Sequence, residues 1–363
     1  MDAMATNPSC LLYGPLDARF EDRPIPALTN PHDVIVRIAY TGVCGSDVHF
    51  WLHGGIRTYV SQTQPLTMGH EASGTIHAVG SAVTSLVPGD RVAIEPGYPC
   101  RHCDQCKSGR YNLCPEMKFA ADPPVVHGTL TKYFMLPADF CYKISDNVKL
   151  SEAVLLEPLA VGIHAVRLAD VKPGQSVVVF GAGTVGLFCA AVAREFGANI
   201  VVSVDILESK LKFAQGFVGR EVGRTTMPDG ELSVEENAAR IMREYALGEG
   251  ADVVIDASGA EASVQTAIFA LRKGGTYVQA GMGKRKIEFP ISEMCEKEVV
   301  AKGCYRYGPG DFDLGISLVG RGRLPLGGLI SKVFPFEKAT EAWEAARRGE
   351  GIKTLIEGPP DGL

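Results

Sequence analysis

Residues 176–205, SVVVFGAGTVGLFCAAVAREFGANIVVSVD, constrain the fold of this chain more than any other stretch. SVVVF is a continuous apolar run, as expected of a strand buried on both faces. A glycine turn, GAGTVG, follows at once. TVGLFCAAVAREFG reads as a helix ended by Gly197, and NIVVSVD as a second strand that stops at Asp205. A GxGxxG motif alone is a weak signal. Placed between a buried strand and a helix, with an acid at the end of the next strand, it predicts a dinucleotide site.

Each residue of the turn has a reason. Gly181 permits the tight turn, Gly183 lets the backbone approach a pyrophosphate, and Gly186 lets the helix lie close to the strand. Thr184 and Val185 complete the cofactor-binding loop at the helix N-terminus, where free N–H groups favour anions. Asp205 can accept hydrogen bonds from the adenosine ribose and would repel a 2′-phosphate. Ile206 and Leu207 offer no cation, and Lys210 stands one turn further on. The expectation is NAD rather than NADP. The plainer readings are glycines used only for geometry and Asp205 as a helix N-cap.

DVVIDASG, GGTYVQAG and EVVAKGCY continue the alternation of strand and helix, so a doubly wound parallel α/β sheet is expected. Before it, EPLAVGIHAVRLADV has helical spacing and stops at Lys172-Pro173-Gly174. The first 150 residues differ. HDVIVRIAYTG, GTIHAVG, GDRVAIEP and GTLTKYFMLP are short strands with Gly and Pro punctuation, the pattern of a mainly-β domain. At the end, FPFEKATEAWEAARRGEG reads as a helix and IKTLIEG as a strand returning to that first domain.

A length of 363 residues suits two domains. The net charge of −6, without a basic block, argues against nucleic-acid or anionic-membrane partners. No apolar run is long enough to span a bilayer. MDAMATNPSC lacks the regions of a secretory signal, and GPPDGL carries no retention or lipidation motif. A cytoplasmic protein is expected.

Reduced cytosolic cysteines in a cluster read as metal ligands rather than disulfides. Cys100, Cys103, Cys106 and Cys114 follow a C-x2-C-x2-C-x7-C spacing, which fits a closed tetrahedral zinc site. Four thiolates leave the metal no open position, so the role is structural. His102 is expected to face solvent. The plainer reading is four free thiols.

TGVCGSDVHFW at 41–51 crowds Cys44, Ser46, Asp47 and His49 together. GHEASG adds His70 and Glu71, and LLEPLA adds Glu157. Catalytic zinc takes about three protein ligands and keeps one position open. A lone Cys44 would more often be a small buried hydrophobe. The four residues together point to a second metal.

CGSD, GHE-x2-G-x5-G and GAGTVG resemble the zinc-containing medium-chain alcohol dehydrogenases over essentially the whole chain. CGSDVHFW, GHEASG, EPLAV and YRYG narrow the resemblance to the polyol dehydrogenases. FEDRPIP, LPADFCYKI, IDASGAE and GIKTLI are most similar to the fungal, xylitol-oxidising group. The resemblance implies a GroES-like catalytic domain (1–156 and 298–363, with a zinc lobe at 96–116) and a Rossmann domain at 157–297. It implies NAD and two zinc ions per chain, one catalytic and one structural. It also implies a small-molecule polyol as substrate and a homo-oligomer, tetrameric or dimeric.

In this family Cys44, His70 and Glu71 match zinc ligands, and Glu157 binds the metal directly or through water. Asp47 orients the His70 ring. Ser46 meets the substrate hydroxyl, and His49 relays its proton. Phe119 matches an apolar wall, and Arg306 and Tyr307 match hydroxyl-binding residues. His77, His127 and His164 are expected to be structural. Phe50, Asp122 and Arg57 depart from the family pattern and leave open the choice among xylitol, sorbitol and L-arabinitol. A quinone or enoyl reductase without catalytic zinc is the alternative within the fold. A non-catalytic NAD- and zinc-binding protein is the alternative outside the class.

Overall fold

The computed structural model describes residues 6–124 and 126–361. The readings of the chain ends made above fall partly on residues 1–5 and 362–363, outside the described residues. The chain divides into two compact units. One runs to Glu157 and resumes at Phe312; the other is Pro158–Asp311. No helix among the described residues is long and apolar enough to cross a membrane.

The Pro158–Asp311 unit holds a six-stranded parallel sheet. Its spatial order is Gly223–Thr226, Ile200–Val204, Ser176–Phe180, Ala251–Asp256, Leu271–Gln279 and Val300–Gly303. The order reverses at Ser176–Phe180, the point where a doubly wound sheet opens a crevice at its strand ends. Val177, Val178, Val179, Val201 and Val202 are fully buried, as the continuous apolar runs require. The Thr184–Glu195 helix is buried from Gly186 to Ala193. It lies close to the Leu156–Ala169 helix, because a Cβ on Gly162 would come within 2.7 Å of Phe188 Cβ.

The second crossing of the chain lies at Asp311–Phe312 rather than at 297–298. Val300–Gly303 joins the parallel sheet beside Leu271–Gln279, and Lys302 Nζ donates to Leu168 O at 2.7 Å. Residues 298–311 therefore belong with the nucleotide-type sheet and not with the mainly-β unit.

In the mainly-β unit, Asp33–Gly42 is the central strand. It pairs antiparallel with Glu71–Val79, Tyr133–Pro137 and Lys353–Glu357. The sheet continues through Arg91–Ile94 and Cys141–Lys143 on one side and Ile330–Phe334 on the other. The C-terminal strand thus returns to the first domain. A smaller sheet is formed by Asn7–Gly14, Asp17–Arg23 and Leu66–Thr67.

The helices Gly45–His53 and Ala339–Arg347 share an apolar cluster that includes Trp343, Phe336, Leu66 and Met68. Trp343 is 1% exposed, with its ring 6.1 Å from that of Trp51. Phe50 also faces this cluster, which accounts for a phenyl ring there in place of a hydroxyl-bearing one. Truncating so large a buried side chain leaves a cavity under the helix that carries Ser46. Trp343→Ala should cost about 3–5 kcal/mol in denaturant unfolding followed by circular dichroism. A loss below ~1 kcal/mol would contradict this packing.

Candidate functional site

In the Pro158–Asp311 unit the glycine loop begins where Phe180 ends its strand. Gly181 has φ +93°, and its N–H donates to Val204 O at 2.7 Å. A Cβ on Gly186 would lie 1.8 Å from Gly181 O, so only glycine allows this approach. A Cβ on Gly183 would meet nothing within 4 Å. That open side stands at the N-terminus of the Thr184–Glu195 helix, where Gly183 is the cap and has no side chain to occupy the free N–H groups. The loop therefore fits a pyrophosphate.

Asp205 has two tasks beyond the ribose role expected of it. Oδ2 accepts from Ala182 N at 2.7 Å, and Oδ1 accepts from Leu207 N at 2.9 Å. The first bond ties the glycine loop to the second strand. The second shapes the turn before the Glu208–Val218 helix, whose N-cap is Leu207 rather than Asp205. Each oxygen keeps a further lone pair for a hydroxyl. Ile206 is exposed, Lys210 is half-buried in the helix's first turn, and no other cation stands between them.

In the mainly-β unit, Cys44 caps the Gly45–His53 helix. Asp47 Oδ2 accepts from Cys44 N at 2.9 Å, and its Oδ1 lies 3.5 Å from His70 Nδ1. One buried carboxylate thus fixes the cysteine backbone and orients the histidine ring, the kind of support that metal-binding histidines require. The helix ends at Gly54, whose φ of +79° is a left-handed cap. Glu71 opens its strand directly opposite Gly42. The donor atoms of Cys44, His70 and Glu71 all lie within 4.8 Å of one another, and His70 and Glu71 are buried.

The electrostatics favour a cation there. Burial opposes a charge on His70, but Asp47 and Cys44 outweigh it and hold its pKa well above the usual imidazole range. Among the described residues, Glu71 Oε2 meets the buried ammonium of one lysine. Its ion partner is Lys353, a residue that sequence reasoning saw only as part of a strand. A thiolate, an imidazole and a carboxylate converging with a fourth side open are a donor set that fits catalytic zinc.

Glu157 is buried but stands outside the convergent trio. Its charge acts on Lys353. Ser46 is half-buried in the first turn of the helix. His49 is exposed, with its ring 4.6 Å from that of His53. Partial burial and His53 both lower the His49 pKa. The Phe119 ring lies 5.7 Å from the His70 ring, as a wall would. Asp122 N donates to Phe119 O, and Thr58 Oγ1 donates to Pro123 O at 2.9 Å. The two departing segments around Arg57 and Asp122 are thereby joined beside Phe119, while Arg57 itself is exposed.

Arg306 and Tyr307 lie in the other unit. Arg306 has φ +57° and sits over the Tyr305 ring at 4.8 Å. Tyr307 is 2% exposed. The loop is held by Asp311, which accepts from Gly308 N at 2.7 Å and Arg167 Nη1 at 2.6 Å. His164 Nδ1 lies 2.9 Å from the same carboxylate. The Asp311 anchor had no local signal in the sequence.

Cys100, Cys103, Cys106 and Cys114 converge as a second donor set. Backbone N–H groups of Cys100 and Cys103 point at sulfurs, each at 3.4 Å. Hydrogen bonds from the backbone of His102, then of Cys103, bring the Cys100 thiol down to about 6 against its burial. The exposed His102 ring contacts Cys100 O at 2.7 Å. The fully buried Glu95 anchors the lobe, accepting from Tyr111 and Tyr142 hydroxyls at 2.6 and 2.7 Å.

The sequence profile of the alcohol dehydrogenase GroES-like domain matches residues 30–146, and that of the zinc-binding dehydrogenases matches residues 184–321. A protein of Neosartorya fischeri described as a probable D-xylulose reductase A is 54% identical, covering 99% of both chains. This chain belongs to the zinc-binding dehydrogenase family. D-xylulose reductase A of Aspergillus niger is 53% identical to the dehydrogenase, over 98% of this chain and 97% of its own. A solved oxidoreductase of unknown specificity from Escherichia coli is similar at TM-score 0.90 and 32% identity. That match covers 98% of this chain and 100% of the other. The dehydrogenase uses NAD and zinc, and the glycine loop and the two donor sets are chemically suited to them.

Asp205→Ala removes a charged acceptor for a ribose hydroxyl, a bond of about 1.5–3 kcal/mol, as well as the repulsion of a 2′-phosphate. NAD binding measured by calorimetry should weaken by roughly 10–100-fold or more, with a smaller loss for NADP. Equal losses for both nucleotides would contradict the selectivity role.

Proposed function

We propose that the dehydrogenase catalyses the reversible oxidation of xylitol at C2 to D-xylulose with NAD. The observation that carries this reading is the convergent trio Cys44, His70 and Glu71, in a chain over half identical along its length to D-xylulose reductases. Cys44, His70 and Glu71 hold the catalytic zinc, and Cys100, Cys103, Cys106 and Cys114 hold the structural one. Glu157 reaches the catalytic metal directly or through water. When bound, zinc polarises the substrate hydroxyl and NAD accepts the hydride.

The chain's own residues do the rest. Asp47 keeps the His70 ring in place. Ser46 takes a hydrogen bond from the reacting hydroxyl and would pass its proton towards His49, by way of the ribose hydroxyls when NAD is bound. Phe119 gives the carbon chain an apolar wall. Arg306 and Tyr307 pair with further hydroxyls, and buried partners of that kind discriminate strongly between hydroxyl patterns. Gly181, Gly183, Thr184, Val185 and Gly186 cradle the pyrophosphate, and Asp205 and Lys210 hold the adenosine ribose. The hydroxyl proton leaves to solvent, and NAD, when bound, would take the hydride, so the step balances. We place the enzyme in the cytoplasm as a homo-oligomer, a homotetramer with a dimer as the alternative.

The test is NAD reduction with xylitol, D-sorbitol and L-arabinitol under the same conditions. The highest kcat/KM on xylitol is the expected result. A preference for either of the other polyols would overturn the substrate assignment. No turnover on any polyol by protein carrying both metals would overturn the enzymatic reading.

A further inference from the structure

Lys353 is 3% exposed, in a part of the molecule where a cation is costly to bury. Its ammonium pairs with Glu71 Oε2 and donates to Val43 O at 3.0 Å. Val43 precedes Cys44, so one ammonium bonds both segments that carry the metal-site donors. Burial opposes its charge, while Glu71, Cys44 and Glu157 sustain it and raise its pKa.

The neighbouring strand makes room for this pair. Gly42 lies opposite Glu71 on one side and opposite Leu355 of the Lys353–Glu357 strand on the other. A Cβ on Gly42 would stand 2.1 Å from Glu71 Oε2 and 3.1 Å from Lys353 Cε. Any side chain at 42 would displace the carboxylate.

A fixed cation beside a divalent metal weakens metal binding. Holding the metal is therefore a poor explanation for Lys353. A carboxylate can meet a metal through one oxygen or through both. Were both Glu71 oxygens to bind, the position that a catalytic zinc keeps open would be filled. We propose that Lys353 is a positioning residue: it holds Glu71 Oε2, leaves the carboxylate one oxygen to offer the metal, and so keeps the fourth position free for substrate. The proposal rests on the metal-site reading given above.

The test exchanges cobalt into this site, with zinc left in the four-cysteine cluster, and reads the cobalt d–d absorption. Those bands weaken when a four-coordinate ion becomes five-coordinate. Wild-type protein should show the intense four-coordinate spectrum. Lys353→Met should retain about one metal at this site, because electrostatics no longer opposes it. Its bands should weaken, and kcat should fall at least tenfold with a smaller change in KM. Gly42→Ala keeps both charges but pushes the carboxylate, and should shift the bands the same way. It serves as the variant to read if Lys353→Met does not fold. Superimposable spectra of wild type and a folded variant would overturn the proposal, as would weak five-coordinate bands in the wild type itself. Wild-type protein that takes no cobalt outside the four-cysteine cluster would instead overturn the metal-site reading on which it stands.

Discussion

The strand Asp33–Gly42 is hydrogen-bonded on both sides, and its register decides what meets at its end. Gly42 faces Glu71 across one ladder and Leu355 across the other. Two residues past Gly42 the chain reaches Cys44 and turns into a helix, which brings Asp47 back over Cys44 N and towards His70. Side chains alternate across a sheet, so a slip by one residue would send Glu71 to the opposite face in the first ladder and Lys353 to the opposite face in the second. The donor trio, its orienting carboxylate and its buried lysine all depend on this one alignment.

The other unit relies on a comparable economy. Asp205 joins the glycine loop to the second strand through Ala182 N while keeping lone pairs for a ribose. In the proposed function the residue that reads the nucleotide also shapes the loop that receives the phosphates, so selectivity and affinity would be coupled at this position. In the same unit Asp311 binds the backbone of the YRYG loop, a histidine and an arginine at once, so a single carboxylate fixes the loop bearing Arg306.

What the sequence made legible follows from distance along the chain. GAGTVG, its flanking strands and Asp205 are local, and their chemistry is carried by neighbours. The four-cysteine lobe is local as well, and its spacing is enough to bring the sulfurs together. The trio is not local. Cys44 and the His70–Glu71 pair come from separate strand ends, and the family resemblance was needed to join them. Lys353 was invisible because IKTLIEG has the pattern of any strand, and only the ladder to Gly42 reveals what Lys353 touches. EVVAKGCY reads as a further strand of the parallel sheet, and Val300–Gly303 joins that sheet as a short, largely exposed edge strand, so the unit ends later than the 157–297 bounds that the resemblance implies. Phe50 departs from the family pattern, but its ring belongs to the core cluster.

The central claim is that Cys44, His70 and Glu71 form a metal site separate from the cysteine cluster and from the nucleotide loop. Counting zinc per chain in the wild type and in Cys44→Ser, with NAD binding measured on the same samples, tests it most directly. The account predicts about two zinc ions in the wild type and about one in the variant, with NAD affinity unchanged and turnover abolished. Equal zinc content and undiminished activity in the variant would contradict it.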